Sequence, residues 1–374
     1  MDSKWIRKKE QFIIDQMEKN NALHGDLFPE PASEDSYYQF GGNHAWTPSF
    51  WTGMQFLAYD VTGKLEFKEI IQQHLDSFDE RLAQNVEMDN HDIGFYYSLS
   101  HILAYRNFQR GESYQTIIQA ADKLMERYEP NSKIIQAWGD KNDPSEQGRM
   151  IIDCNMNLFL LYNAFYLTGK RHYYEVAYNH IKRAQEYLVR SDFSTYHTYY
   201  FDVQTGEPIR GITAQGYSDQ SCWARGQAWA VYGFALNYRY TKDCSLLETA
   251  IQTAEYFIQR LPQDQVPYWD LVFTEGNQYR DSSSGAILAC GLLEIANLLP
   301  MNDEKIERYQ KIAQKILESL GNHYLVDADK SNGILLHGVY SIPHNLGVDE
   351  CCLWGDYFFF EALERVARPW RSFW

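Results

Sequence analysis

Apolar residues recur along the chain in two alternating helical patterns. In the first pattern apolar side chains cover most of the helix, as in the stretches that begin near residues 47, 92, 153, 224, 281 and 354. In the second pattern they occupy one face only, as with Phe67, Ile71 and Leu75. A helix that is apolar on most faces must be buried, whereas a one-sided helix covers a buried neighbour.

The pattern predicts six helices of each kind. The apolar helices run over 46–61, 91–105, 153–167, 223–240, 279–299 and 354–366, and the amphipathic ones over 5–17, 67–78, 114–128, 174–188, 247–257 and 306–320. A polar loop is predicted over 20–44. Alternating aromatic and polar residues over 196–212 predict a β-hairpin insertion.

Alternating buried and covering helices pack most simply as one ring inside another. We therefore predict an all-α fold, an (α/α)6 barrel with six inner and six outer helices. A two-domain chain would need a linker rich in Pro, Gly and Ser, and none is present. Residues 1–374 are predicted to form a single catalytic domain.

In such a barrel the N-termini of all six inner helices meet on one face. The polar and aromatic residues at these helix starts are Trp46, Trp51, His91, Asp92, Asp153, Trp223, Arg225, Trp229, Arg280, Asp281 and Trp354. A pocket of Trp side chains and acids suits sugar rings, which stack on indoles and donate hydrogen bonds to carboxylates. Any single Trp is slightly better explained as core filling, whereas the whole set at one ring of loops is better explained as a sugar-binding pocket.

Two acids, Asp92 and Asp153, each precede an apolar helix. Considered alone, either one is most simply an N-cap that accepts hydrogen bonds from free backbone N–H groups. Two acids of the same design facing one pocket instead indicate an acid/base pair.

Composition narrows the range of partners. The net charge of −16 and the lack of any basic stretch argue against binding nucleic acid or anionic membranes. Neither a signal peptide nor an apolar run of about 20 residues is evident, so we expect a cytoplasmic protein, a monomer or weak dimer, with a small-molecule partner. The six cysteines show no metal or disulfide spacing and are expected to be free thiols. No metal or nucleotide motif is present, so no cofactor and no metal are predicted.

Six separated motifs together carry a resemblance. They are the stretches 91–100, 134–139, 149–154, 223–229, 279–283 and 354–357. In this order they resemble the unsaturated glucuronyl hydrolases, glycoside hydrolase family 88, nearly from end to end. The resemblance implies an (α/α)6 barrel whose substrate is a lyase-generated, glycosaminoglycan-type oligosaccharide with a 4,5-unsaturated uronic acid at its non-reducing end.

The resemblance also implies the chemistry. The unsaturated uronide is a vinyl ether, so protonation at C4 by Asp153 lets water add at C5, and the resulting hemiketal rearranges and expels the rest of the chain. Asp92 is implied as the second catalytic carboxylate. Residues that stand where the family lines the uronate subsite are Trp46, His91, Trp138, His197, Gln215, Trp223, Arg225 and Trp229.

Some of these roles stay open. Arg225 is either a partner for the uronate carboxylate or a tie between loops. His197 either orients water or hydrogen-bonds a loop carbonyl. In the loop 340–347, Ser341 and His344 are candidate substrate contacts, but the second Ser and the Lys of sulfate-preferring relatives are missing, and Ala214 replaces a His found in some others. The choice among chondroitin, hyaluronan, heparin and gellan fragments is therefore open.

Three rival functions remain. One is a related hydrolase for unsaturated rhamnogalacturonides from pectin. Another is a sugar 2-epimerase on a similar barrel, which would depend on paired His residues, whereas this pocket is richer in Asp. The third is a non-catalytic sugar-binding barrel, which would need stacking Trp residues but not two acids at the inner ring.

Overall fold

The computed structural model describes residues 2–374, and helices dominate it. The first half of the chain forms α1 (Ser3–His24), α2 (Pro48–Thr62), α3 (Leu65–Gln84), α4 (Ile93–Tyr97), α5 (Leu103–Phe108), α6 (Ser113–Met125), α7 (Cys154–Asn157), α8 (Phe159–Thr168) and α9 (Arg171–Tyr187). The second half forms α10 (Ala224–Thr241), α11 (Cys244–Ile258), α12 (Ser282–Leu298), α13 (Lys305–His323) and α14 (Leu353–Ala367).

The inner helices form a closed ring. Helix α2 packs against the helix that contains α4 and α5, α4 packs against α7, and α7 packs against α10. From there α10 contacts α12, α12 contacts α14, and α14 returns to α2. Each outer helix covers an inner one, as α11 covers α10 and α13 covers α12. The predicted (α/α)6 barrel is confirmed.

Burial follows the two hydrophobic patterns. In α12 almost every residue from Ser282 to Ala296 is buried. In α13 the buried residues, including Tyr309, Ala313 and Leu320, lie on one face of the helix. Helices apolar on most sides therefore form the centre, and one-sided helices enclose them.

Two inner helices are interrupted where the sequence predicts continuous ones. A π-helical turn, Ser98–Ile102, joins α4 to α5. Helix α7 stops at Asn157 and α8 resumes at Phe159. Single π turns are common beside functional sites because they re-aim the residues of the preceding turn. Both interruptions lie within two turns of the predicted acids.

The strands correct three predictions. The strands are β1 (Phe28–Pro29), β2 (Phe40–Gly41), β3 (Tyr128–Glu129), β4 (Ile134–Ile135), β5 (Arg149–Ile151), β6 (Thr198–Phe201), β7 (Pro208–Ile212), β8 (Gly338–Ser341) and β9 (Leu346–Glu350). The predicted hairpin is β6–β7, but β5 joins it as a third strand. The predicted loop over 340–347 is the turn of a second hairpin, β8–β9. The predicted loop over 20–44 holds the end of α1 and the β1–β2 pair.

Other sequence-based expectations also meet the structure. All six cysteines are free, and only Cys244 is exposed. Within residues 2–374, none of the helices combines the length and the apolar character needed to cross a membrane.

Candidate active site

The two predicted acids lie side by side at the N-terminal face of the inner ring. Asp92 directly precedes α4 and Asp153 directly precedes α7. His91 lies between them, with its Nε2 atom 3.4 Å from Asp92 Oδ1 and 3.6 Å from Asp153 Oδ1. The carboxylates keep 17% and 19% of their side-chain surface exposed. A ligand in the cleft between these acids, Trp138 and His197 can therefore reach both of them.

Neither acid caps its helix. A capping residue normally has an extended backbone that turns its side chain toward the free N–H groups. Asp281, before α12, has this geometry (φ −125°, ψ 90°) and accepts a hydrogen bond from the Ser283 N–H. Asp92 (φ −70°, ψ −6°) and Asp153 (φ −71°, ψ −18°) are helical in backbone, and neither side chain makes a capping bond. Their carboxylates are therefore left for the cleft.

Burial raises the pKa of both carboxyl groups. The pKa of Asp153 rises to about 7, chiefly through burial, while the guanidinium of Arg225 opposes the rise. The pKa of Asp92 is raised by burial and then by the negative charge of Asp153, while the Asn157 amide opposes the rise. Because each negative charge disfavours the other, the two neighbouring carboxyl groups hold one proton between them more readily than two separate acids would.

His91 is a neutral neighbour of this pair. It is fully buried, and burial holds the pKa of its imidazole well below the usual value, helped by the nearby His180 and Arg127. Its backbone N–H donates to Ala137 O at 2.9 Å, which fixes the segment before α4. Neither ring nitrogen of His91 has a hydrogen-bond partner among residues 2–374, so the single N–H of the neutral imidazole can be donated at the site without adding charge.

Trp138 supplies an exposed aromatic surface at the cleft. Its side chain is 38% exposed, and the Arg149 guanidinium lies 5.1 Å from its ring centroid. Arg149 is itself held by Glu146 Oε2 at 2.6 Å and by the Tyr200 hydroxyl at 2.8 Å. Arg149 thus fixes one side of the indole, and the exposed part of the ring is available to stack on a sugar.

His197 lies beside Trp138, with ring centroids 6.5 Å apart, and at an angle to Trp223, with ring centroids 4.8 Å apart. Its Nδ1 accepts the Ala214 N–H at 3.0 Å, so the predicted bond to a loop is present, but to an amide rather than a carbonyl. Burial, with Arg225 next in importance, lowers the pKa of His197 to about 3. The neutral ring accepts at Nδ1 and keeps its proton on Nε2, which leaves one donor for substrate or water.

Arg225 ties the β8–β9 hairpin to the inner ring. Its Nη1 donates to Val339 O at 2.5 Å and its Nη2 to Tyr340 O at 2.8 Å. The guanidinium lies against Trp223, 4.4 Å from the ring centroid, and is almost fully buried. The loop-tying alternative for Arg225 is therefore present in the structure. Its charge also acts on Asp153, so it lies close to the acids as well.

Four of the tryptophans at helix starts are buried in the core. Trp51, Trp223, Trp229 and Trp354 are 3%, 3%, 1% and 0% exposed. Trp229, a predicted substrate contact, packs against Phe95 with ring centroids 5.7 Å apart. The structure thus places it beneath the site rather than at its surface. By contrast, Trp46 is partly exposed and its Nε1 donates to the Tyr340 hydroxyl at 2.8 Å.

The other predicted contacts lie on the surrounding loops. Gln215 is partly exposed in the loop after β7, next to the Ala214 amide that binds His197. Ser341 and His344 lie together in the β8–β9 hairpin, with Ser341 Oγ 2.7 Å from His344 Nδ1. Ser341 is buried and His344 is exposed.

His91, Asp92 and Asp153 are also the described residues whose donor atoms come closest to surrounding a cation, all within 4.8 Å of one another. Two carboxylates that share a proton beside a neutral imidazole account for the same geometry. The sequence-based prediction of no metal stays a prediction.

Comparison with known proteins places this chain in a family. A family model described as Glycosyl Hydrolase Family 88 matches residues 3–349. The chain belongs to glycoside hydrolase family 88. This confirms the family that the six sequence motifs indicated.

Family 88 relatives match along nearly the whole chain. A protein named unsaturated chondroitin disaccharide hydrolase, from Streptococcus pneumoniae (strain ATCC BAA-255 / R6), is 43% identical over 97% of this chain and 92% of its own length. The crystal structure of unsaturated glucuronyl hydrolase from Streptococcus agalactiae has a TM-score of 0.97 at 40% identity, and covers 100% of this chain and 94% of that one. An Asp-to-Asn mutant of the latter, complexed with dGlcA-GalNAc6S, has a TM-score of 0.89 at 38% identity with the same coverage.

Sequence reasoning missed several residues of this family 88 site. Tyr340 receives the Trp46 bond, Arg149 supports Trp138, and Asn157 contacts Asp92. Asn157 had a visible signal, because it follows Asp153 by four residues and so shares a helix face with it. Tyr340 had none, since its contact depends on a hairpin nearly 300 residues from Trp46.

Proposed function

We propose that this chain is an unsaturated glucuronyl hydrolase that releases the 4,5-unsaturated uronic acid from lyase-generated, chondroitin-type disaccharides. The observation that carries the proposal is the uncapped acid pair Asp92 and Asp153 around neutral His91. The names of the relatives support the uronide and the chondroitin-type disaccharide.

In the proposed mechanism Asp153 donates the first proton. Asp153 Oδ1 is buried with no hydrogen-bond partner among residues 2–374, which a neutral carboxyl group tolerates better than an anion. Asp92 Oδ1 faces the Asn157 amide at 3.5 Å, which favours its ionised form. On these hydrogen bonds we assign the shared proton to Asp153 and the negative charge to Asp92, against the direction of the pKa of Asp92, which burial and the charge of Asp153 both raise.

The reaction then follows from the vinyl ether. Asp153 protonates C4, positive charge develops at C5 and the ring oxygen, and the Asp92 carboxylate stabilises it. Water adds at C5 as the Asp153 carboxylate takes its proton, which restores the acid for the next cycle. The hemiketal at C5 opens to a ketone, and the hemiacetal left at C1 expels the second sugar as an alcohol.

The remaining predicted residues form the proposed subsite. Trp138 stacks on the sugar face, and the Nε2–H of His197 and the amide of Gln215 bind its hydroxyl or carboxylate groups. Arg225 opposes the uronate charge, Trp46 lines the wall, and buried Trp223 supports His197 from behind. Trp229 acts from below by fixing Phe95, the third residue of the helix after Asp92. A cytoplasmic location and a monomer or weak dimer remain predictions.

The direct test is incubation with an unsaturated chondroitin disaccharide while following the ultraviolet absorbance of its conjugated double bond. We expect the absorbance to fall as the uronide opens. A panel that adds hyaluronan, heparin and rhamnogalacturonan disaccharides defines the substrate class. Persistence of the absorbance with every unsaturated uronide would refute the proposed function, and consumption of the pectin fragment alone would favour the rival hydrolase.

We expect tolerance of sulfate rather than dependence on it. A buried sulfate needs a cation or several strong donors, and the hairpin turn offers Ser341 and exposed His344 but no Lys.

The measurement is kcat/KM for matched 6-sulfated and unsulfated disaccharides, with His344→Ala as the comparison variant. The sulfated substrate should be favoured by less than about tenfold, and this preference should vanish in the variant. A large preference for the sulfated substrate that survives His344→Ala would place the sulfate elsewhere.

A further inference from the structure

The side chain of Asp92, the residue that precedes helix α4, does not cap that helix. The N-cap side chain normally accepts a hydrogen bond from the second or third amide of the helix, here Gly94 or Phe95. The Gly94 N–H instead donates to His91 O at 3.2 Å, and the Phe95 N–H donates to Asn157 Oδ1 at 2.6 Å. Neither of these two amides remains for the Asp92 carboxylate.

Asn157 also contacts the Asp92 carboxylate, whose usual capping position it takes. Its Nδ2 donates a long hydrogen bond of 3.5 Å to Asp92 Oδ1. The same oxygen lies 3.4 Å from His91 Nε2. Asn157 is fully buried, so its amide has no water to bond instead. The Asn157 side chain therefore binds the Phe95 amide and holds the Asp92 carboxylate toward the cleft.

Two features of the sequence permit this contact. Asn157 ends the single turn of α7 that begins after Asp153, so one turn carries an acid at its start and the amide at its end. Gly94 lets the two helices touch, because a Cβ atom there would lie 2.2 Å from the Asn157 carbonyl oxygen. The spacing of the two acids thus depends on this junction.

We propose that Asn157 caps helix α4 in place of Asp92, and so keeps the Asp92 carboxylate free and oriented for catalysis. Asn157 touches neither substrate nor the reacting atoms and is a positioning residue. The inference rests on the proposed function, since it assigns Asp92 a role in that reaction.

The test compares Asn157→Ala with Asn163→Ala. Asn163 is a buried Asn on α8 that bonds Phe159 O and Arg106, away from the acids, and serves as the matched structural control. In Asn157→Ala the Phe95 amide is left free and Asp92 should rotate onto it. We expect kcat to fall about 100-fold with KM changed by less than about threefold, since misplacing a catalytic group by about 1 Å has this effect.

A crystal structure of Asn157→Ala should have the Asp92 carboxylate on the Phe95 N–H. Asn163→Ala should lose thermal stability while keeping kcat within about twofold. The proposal is overturned if Asn157→Ala keeps kcat within the range of Asn163→Ala, or if Asp92 stays in place. If Asn157→Ala does not fold, Asn157→Asp carries the test.

Asn157→Asp keeps the acceptor for Phe95 but lacks the donor to Asp92. A kcat reduced at least tenfold at unchanged KM supports the proposal, and wild-type kcat refutes it. Failure of the proposed function is a separate result, because the wild-type chain itself would then consume no unsaturated uronide.

Discussion

Asp153→Asn should lower kcat on an unsaturated disaccharide by about 10²–10⁴-fold, the usual contribution of a general acid. The substitution keeps the size and shape of the side chain but removes the proton that cycles between C4 and water. The side chain makes no capping bond, so the fold should be unchanged and KM nearly so. The assay is the loss of double-bond absorbance at saturating substrate.

The pKa of Asp153 also predicts how the activity depends on pH. Because burial raises the pKa of Asp153 to about 7, the carboxyl group is protonated below that pH and loses its proton above it. Activity should therefore be highest on the acid side and fall as pH rises through about 7. This basic limb should be missing from the residual activity of Asp153→Asn.

Asp356 offers a matched control for Asp153. It lies in the first turn of inner helix α14, is buried, and has a pKa raised by burial to about 7, but it accepts hydrogen bonds from the Tyr38 hydroxyl and the Leu335 N–H. Asp356→Asn should keep kcat within about threefold. If Asp153→Asn retained more than about a tenth of the wild-type rate, Asp153 would be a structural residue.

Arg225→Met should lower kcat/KM by about 30-fold or more. Removing one partner of a buried charge pair usually costs roughly 2–5 kcal/mol, and each 1.4 kcal/mol is about a factor of ten. Met keeps an apolar stem against Trp223 but cannot bind a carboxylate. The loss should appear mainly in KM, because substrate and transition state carry the same uronate charge.

A substrate variant separates the two roles of Arg225. The wild-type enzyme should discriminate strongly between the free uronate and its methyl ester, whereas Arg225→Met should discriminate little, since the ester has no charge to pair. If the preference for the free acid survives in Arg225→Met at full size, Arg225 serves only to tie Val339 and Tyr340 to the ring.

Periodicity predicts most of this fold because burial determines it. Helices such as α12 are apolar on most sides and have to lie at the centre of the barrel. Helix α13 has one apolar face and has to cover an inner helix. The interruptions escape such reasoning. The π turn at Ser98–Ile102 and the break at Leu158 change no hydrophobic pattern, since the residues on both sides remain buried.

The sequence predicts a site residue when its chemical type alone indicates the role. It does so less well when the role depends on backbone angles, burial or a neighbouring side chain. Asp92 and Asp153 stand out as acids before apolar helices, yet the same pattern describes Asp281, which is a true cap. The difference lies in backbone angles and in the Asn157 amide, which the pattern does not encode. Trp138 and Trp229 likewise look alike in sequence, although one is 38% exposed and the other 1%.

The position of a heavy oxygen atom tests the central claim most directly. An unsaturated chondroitin disaccharide is turned over in water enriched in ¹⁸O, and the products are reduced as they form so that carbonyl exchange is stopped. If Asp153 directs hydration of the double bond, the label appears at C5 of the opened uronide and C1 keeps the original ring oxygen. Label at C1 would show direct displacement at the anomeric carbon and would contradict the account.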